Sequence, residues 1–182
     1  MSRTRERALD AALELVGDEG IRSLTHARVD ERAGLPKGST SNWFRTRDAL
    51  VAGLVTWIAE NERADFADAG APAISTPDEL IDALSAVIIA QTQLFAGRTR
   101  ARYALFLEGM NDPQLLAPLV QQRALYVEWT TALLRGIGAV HPTEAVRTLM
   151  AAGDGLIFHR LTIDPDADVR PVVERAVHAC LD

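Results

Sequence analysis

The 182-residue sequence holds one cysteine, Cys180, and one lysine, Lys37, beside 18 arginines. A single thiol makes neither an internal disulfide nor a thiolate metal cluster, so a reducing compartment, the cytoplasm, is expected. Aromatic residues are only 5% of the chain. Long apolar runs are missing too. The longest stretch without a charge, Ala83 to Gly97, is 15 residues and contains Gln91, Thr92 and Gln93, whereas a bilayer span needs ~20 apolar residues. No transmembrane helix and no membrane partner are expected, and the charged start Met1-Ser-Arg-Thr-Arg-Glu-Arg has no apolar signal core. Catalytic signatures are absent as well: no Gly-x-Ser-x-Gly, no Gly-rich phosphate loop, no His-Glu-x-x-His, and His26, His141, His159 and His178 lie far apart. Asp164, Asp166 and Asp168 lack the glycine and distal glutamate of a calcium loop. No catalytic residue, metal or cofactor is assigned, and an enzyme is not expected.

What is present is helical. Alanine contributes 29 residues, and apolar positions recur at i, i+3, i+4 with start and stop signals between them. The spacing predicts helices over about 4–18, 26–33, 37–44 and 47–68. A small-residue break at Ala69-Gly-Ala-Pro-Ala-Ile-Ser-Thr-Pro follows, and then helices over about 77–95, 99–110, 113–135, 143–161 and 169–181. Thr25, Thr46, Thr76, Asp112 and Thr143 are the expected N-caps. Nothing alternates at period two for long enough to make a strand.

The formal charge of −6 argues against a polyanionic partner until it is divided. Residues 1–50 carry +1 and residues 51–182 carry −7, and the 16 positions 32–47 contain no acid but hold Arg32, Lys37, Arg45 and Arg47. In this window two short helices flank Gly34-Leu35-Pro36, the length and turn chemistry of a helix-turn-helix. The second helix offers Lys37, Gly38, Ser39, Thr40, Ser41, Asn42 and Trp43, small and polar enough for a DNA major groove. Trp43 is read either as a contact or as core, and Arg3, Arg5 and Arg7 either as backbone contacts or as solvated charges.

Residues 8–54 resemble the DNA-binding domain of the TetR family of bacterial transcriptional regulators. The resemblance is carried by Ala8-Leu-Asp-Ala-Ala-Leu-Glu-Leu, Gly20-Ile-Arg-Ser-Leu-Thr, Val29-Asp-Glu-Arg-Ala-Gly-Leu-Pro-Lys-Gly-Ser-Thr and Phe44-Arg-Thr-Arg-Asp-Ala-Leu. It implies DNA contacts at Thr25, Lys37, Gly38, Ser39, Ser41, Asn42, Trp43 and Arg47, to which the residues themselves add Thr40 and Arg45. Ser41 stands where the family usually has Tyr, and Trp43 where it has His or Tyr.

The second part reads as an effector-binding domain. Arg123 interrupts an apolar stripe of Leu116, Leu119, Val120, Tyr126, Val127, Thr130 and Leu134, while Glu108 and Asp154 sit among apolar neighbours. Buried charges need partners. Either Arg123 pairs with Glu108 or Asp154 to fix helix packing, or these groups line a pocket with Trp57, Phe66, Phe95, Tyr103, Phe106, Tyr126, Trp129 and Phe158, with His159 adjacent. Leu149, Gly153 and Leu156 form one small-residue stripe, and Val169, Val172, Val173, Ala176, Val177 and Cys180 form another, suited to close helix approach. By the resemblance the last two helices form a homodimer interface.

The expected fold is all-α: a three-helix helix-turn-helix domain over 1–47, joined by a long helix to an effector-binding and dimerisation bundle over 48–182. The expected function is a homodimeric repressor of double-stranded operator DNA, released by a small-molecule effector. The alternative is a helical ligand-binding or protein-interaction module that does not bind DNA.

Overall fold

The computed structural model describes residues 3–68, 70 and 74–181. Among the described residues there are nine α-helices and no strand: α1 (Arg3–Glu19), α2 (His26–Arg32), α3 (Ser39–Trp43), α4 (Arg47–Asp68), α5 (Pro77–Thr92), α6 (Ala96–Glu108), α7 (Pro113–Gly136), α8 (Pro142–Thr162) and α9 (Arg170–Ala179). A single 3₁₀ turn, Ile21–Ser23, follows α1. No single helix among the described residues is long and apolar enough to cross a membrane. Packing divides the chain into one unit of Met1–Asp68 with Gly97–Gln122 and another of Ala69–Ala96 with Arg123–Asp182.

The core of the first unit starts from α1, which turns Ala8, Leu9, Ala12, Leu15 and Val16 inward. They meet Leu24, Val29, Phe44 and the α4 face Leu50, Val51, Leu54, Val55 and Ile58, with Ala101, Leu105 and Leu119 completing the cluster. Two glycines set its closest approaches. A Cβ on Gly17 would lie 2.4 Å from the Gly97 carbonyl oxygen, and one on Gly53 would lie 2.4 Å from Cε1 of Phe44. The Gly17 carbonyl, near the open end of α1, accepts instead from Arg100 Nε at 2.8 Å.

The second unit packs α5, α8 and α9 around Leu80, Ile81, Ile88, Val146, Leu149, Ile157, Val173 and Val177. Part of the expected dimer stripes faces inward. Leu149, Val169, Val173, Val177 and Cys180 are at most 8% exposed within the single chain. Periodicity marked the apolar face of α9 rightly, but that face is covered by the chain's own helices. What α8 turns outward is Thr143, Glu144, Arg147, Thr148, Ala151, Gly155, Phe158 and Thr162.

The caps follow the local chemistry. Thr76 and Glu79 form a reciprocal capping box: Thr76 Oγ1 accepts from Glu79 N at 3.3 Å, and Glu79 Oε2 accepts from Thr76 N at 3.1 Å. Asp112 Oδ1 accepts from Gln114 N and Leu115 N, both at 3.1 Å, at the start of α7. Several boundaries differ. α5 ends at Thr92 rather than Phe95, α6 opens at Ala96 rather than Thr99, and α8 opens at Pro142 behind His141 rather than at Thr143. α3 also starts two residues late, at Ser39, for a reason that lies in the turn before it.

Candidate nucleic-acid interface

The turn between α2 and α3 is organised by a side chain the sequence did not single out. Asp30, 4% exposed on α2, accepts from Gly38 N at 2.7 Å, Thr40 N at 2.8 Å and Thr40 Oγ1 at 2.6 Å. Two of these donors are free N–H groups at the start of α3, so the carboxylate caps that helix from eight residues upstream of Gly38. Gly38 adopts φ +90° to make the turn, a left-handed conformation that side-chain-bearing residues rarely take, so Lys37 and Gly38 precede the helix instead of beginning it. Burial works to raise the Asp30 pKa, but the hydrogen bonds from Thr40 and Gly38 and the charge of His26 outweigh it and hold the carboxyl below its ordinary value of 3.8. His26 closes the other end of the motif: its Nε2 donates to the Phe44 carbonyl at 2.6 Å, so that nitrogen carries the proton.

This clamp sorts the expected DNA contacts. Thr40 is fully buried with its hydroxyl on Asp30, so it faces the protein and not a groove. Lys37, Ser41, Asn42, Trp43, Arg45 and Arg47 are exposed, and Gly38 and Ser39 are half-buried. Trp43, at 47% exposure, is not a core residue. Ser39 and Ser41 hydroxyls donate locally, to the Pro36 and Gly38 carbonyls at 2.6 and 3.1 Å. Thr25 caps α2, accepting from Arg28 N at 3.3 Å.

The basic window is less basic in space than in sequence. Arg32 faces Glu19 at 3.0 Å, Asp18 at 3.4 Å and Glu14 at 3.6 Å, all from α1. Arg47 reaches Glu108 at 3.3 Å and donates to the Ile21 carbonyl at 3.3 Å. Arg7 donates to the Ala33 carbonyl at 2.6 Å, ending α2, and Arg5 lies 5.5 Å from the centre of the Phe44 ring. Lys37 and Arg45 therefore remain as the window's cations with no acid within ion-pairing distance among the described residues.

The expected effector residues divide between the two units. In the first, Trp57 donates from Nε1 to Asp10 Oδ1 at 2.9 Å and packs with Phe106 against the core. Tyr103, also in this unit, has Arg102 5.7 Å from its ring centre. Glu108 pairs with Arg47, so of the two acids expected for Arg123 it is Asp154 that Arg123 takes. In the second unit Arg123 and Asp154 form a two-pronged pair, Nη1–Oδ1 at 3.1 Å and Nη2–Oδ2 at 2.5 Å. Phe95, Tyr126 and Trp129 are half-buried there, whereas Phe158 is 53% exposed on the outward face of α8. No cluster of metal-ligating side chains occurs among the described residues.

Residues 75–182 match the family model described as tetracyclin repressor-like, C-terminal domain. The curated HTH-type transcriptional regulator BetI of Burkholderia thailandensis is 26% identical over 153 residues, 84% of this chain and 78% of that protein. Among solved structures, a TetR-family member from Streptomyces coelicolor superposes with a TM-score of 0.75 and 27% identity, over 100% of this chain and 99% of that one. The multidrug binding protein EbrR, complexed with ethidium, gives a TM-score of 0.68 and 28% identity, with 98% of each chain covered. With more than half of its length matched by the family's regulatory domain, and a helix-turn-helix at its N-terminal end, the chain belongs to the TetR family of ligand-responsive, DNA-binding transcriptional regulators, which are not enzymes.

Proposed function

We propose that this regulator is a cytoplasmic homodimeric repressor in which residues 1–47 read double-stranded operator DNA and residues 48–182 bind a small-molecule effector and dimerise. The observation that carries the reading is the Asp30 clamp, which fixes the turn at Lys37 and the five-residue helix after it, with Lys37, Ser41, Asn42 and Trp43 exposed. Asn42 and the serine hydroxyls suit base edges and phosphates, Lys37 and Arg45 supply phosphate charge, and Thr25, Gly38, Ser39 and Arg47 flank them. Thr40 acts one step removed, by holding the helix.

The dimer is placed on the outward face of α8, where Thr148, Ala151 and Gly155 allow close helix approach and a Cβ on Gly155 would meet nothing within 4 Å. Phe158 and the half-exposed Val172 extend that face. Gly153, Leu156 and Ala176, each partly exposed, border it.

For the effector, Phe95, Tyr126 and Trp129 with the Arg123–Asp154 pair supply aromatic faces and a polar end. EbrR's complex with ethidium makes flat aromatic cations the first probes to try. Two reading helices must enter successive major grooves about 34 Å apart. An effector that favours another spacing lowers DNA affinity by its own differential affinity for the two states.

The test is fluorescence anisotropy of the full chain on the duplex upstream of its own coding sequence. Binding is expected to fall steeply with salt, by ~0.9 log per log for each neutralised phosphate. Lys37→Ala and Asn42→Ala are expected to weaken it, with an asparagine–base contact contributing about 1–3 kcal/mol. Undiminished binding in both variants would remove the assignment of α3.

A further inference from the structure

Three ion pairs run along α4 and α6 like rungs, and one differs from the others. At the far end Asp65 meets Arg98 and Glu62 meets Arg102. In both, α6 supplies the cation. The arginine side chains are only 12% and 17% exposed, and Glu62 is 6% exposed. The third rung, Arg47–Glu108 at 3.3 Å, reverses the sign: α6 supplies the acid, and the cation stands on the first residue of α4, four positions after Trp43. It is also the rung with both partners well exposed, at 43% and 39%. An exposed pair at this distance contributes little and exchanges partners readily. The other two have less such freedom, because separation would leave a largely buried arginine unpaired even where, as at Asp65, the acid is 44% exposed.

We propose that Glu108 is an intramolecular stand-in for a DNA phosphate: it occupies the Arg47 guanidinium in the free protein and competes with the operator backbone for it. The inference rests on the proposed DNA binding. A guanidinium has five N–H donors, so Nη2 keeps the Ile21 carbonyl at 3.3 Å while Nη1 passes from carboxylate to phosphate. Glu108 also walls an open cleft of about 440 Å³ together with Glu19, Gly20, Ile21, Arg22, Ala104 and Leu107, so water and ions reach the pair from that side. The chain thereby sets its affinity below what its basic residues permit, and does so through α6 instead of through the reading helix.

The test is a double-mutant cycle on the full chain, with the upstream duplex as probe and anisotropy read at three salt concentrations. Glu108→Gln is expected to bind about two- to fivefold more tightly per reading head, the range an exposed pair supports, with a steeper salt dependence. Arg47→Gln is expected to weaken binding, and the double variant to match Arg47→Gln. Glu108→Asp, which keeps the charge but shortens the reach, is expected to lie between the wild type and Glu108→Gln, and it carries the test if Glu108→Gln melts early. The proposal is overturned if Glu108→Gln binds no more tightly. It is equally overturned if the gain survives undiminished without Arg47, because the carboxylate would then act through its field alone. Absence of salt-dependent binding by the wild type would instead overturn the DNA-binding reading itself.

Discussion

Replacing Asp30 by alanine removes three hydrogen bonds at once, and the structure says what is left behind. Thr40 is fully buried, and its N–H and hydroxyl, with the Gly38 N–H, have the Asp30 carboxylate as their partner at 2.6–2.8 Å. A buried donor stripped of its acceptor costs about 1–3 kcal/mol, but water can enter at the half-buried Gly38 side, so roughly 3–5 kcal/mol is expected instead of the full sum. Against a typical domain stability of about 5–15 kcal/mol this is a large fraction. Asp30→Asn retains one acceptor oxygen. If that oxygen stays on Thr40, only the Gly38 bond is lost, for about 1–2 kcal/mol. Urea titration of both variants, followed by helical signal and by operator affinity, separates the effects. DNA binding should fall further than global stability for Asn, because the loss is confined to the turn that presents Lys37. An Asp30→Ala midpoint within about 0.5 kcal/mol of wild type, with DNA affinity intact, would refute the clamp.

Acidification tests the same carboxylate. Its pKa is depressed in the folded state, so its stabilising contribution is fully present above the ordinary value of 3.8 and is lost as pH falls through the lower folded value. Asp30→Asn should flatten stability against pH in that window alone. Gly53→Ala drives a methyl against Phe44 at 2.4 Å and should destabilise the first unit by about 1–3 kcal/mol, read as a lower melting temperature. Ala151→Arg or Gly155→Glu should yield monomers in sedimentation velocity with helical content unchanged, whereas Val173→Arg, whose side chain is buried within the chain, should unfold it. Cys180 is buried and its thiol is pushed up by that burial, so a thiol reagent should titrate it only after denaturation.

The helices were legible because their signals are local. Thr76 with Glu79, Asp112 before α7 and the inward faces of α1 and α4 can all be read within a few residues. What escaped the sequence depends on partners far away in the chain. Arg32 and Arg47 looked like free charge because their acids come from α1 and α6, 13 to 61 residues distant. Thr40 looked like a groove contact because nothing in Gly-Ser-Thr-Ser-Asn says which hydroxyl turns inward. That was decided by Asp30, whose place beside Val29 on the buried face of α2 was the available clue. The valines of α9 show the remaining gap: a period of 3.6 identifies an apolar stripe but not whether a neighbouring helix or a second copy covers it.

The solitary lysine has a practical corollary. A lysine-specific endoprotease can cut this chain at one bond only, Lys37–Gly38, and the amide nitrogen of that bond is the one Asp30 holds at 2.7 Å. Cleavage needs an extended strand in the protease cleft, which the left-handed Gly38 and its tether withhold until the turn opens. The rate of conversion to fragments 1–37 and 38–182 therefore reports the opening equilibrium of one hydrogen-bonded turn, with no label and no mutation. Operator DNA lying over that turn should slow the same cut.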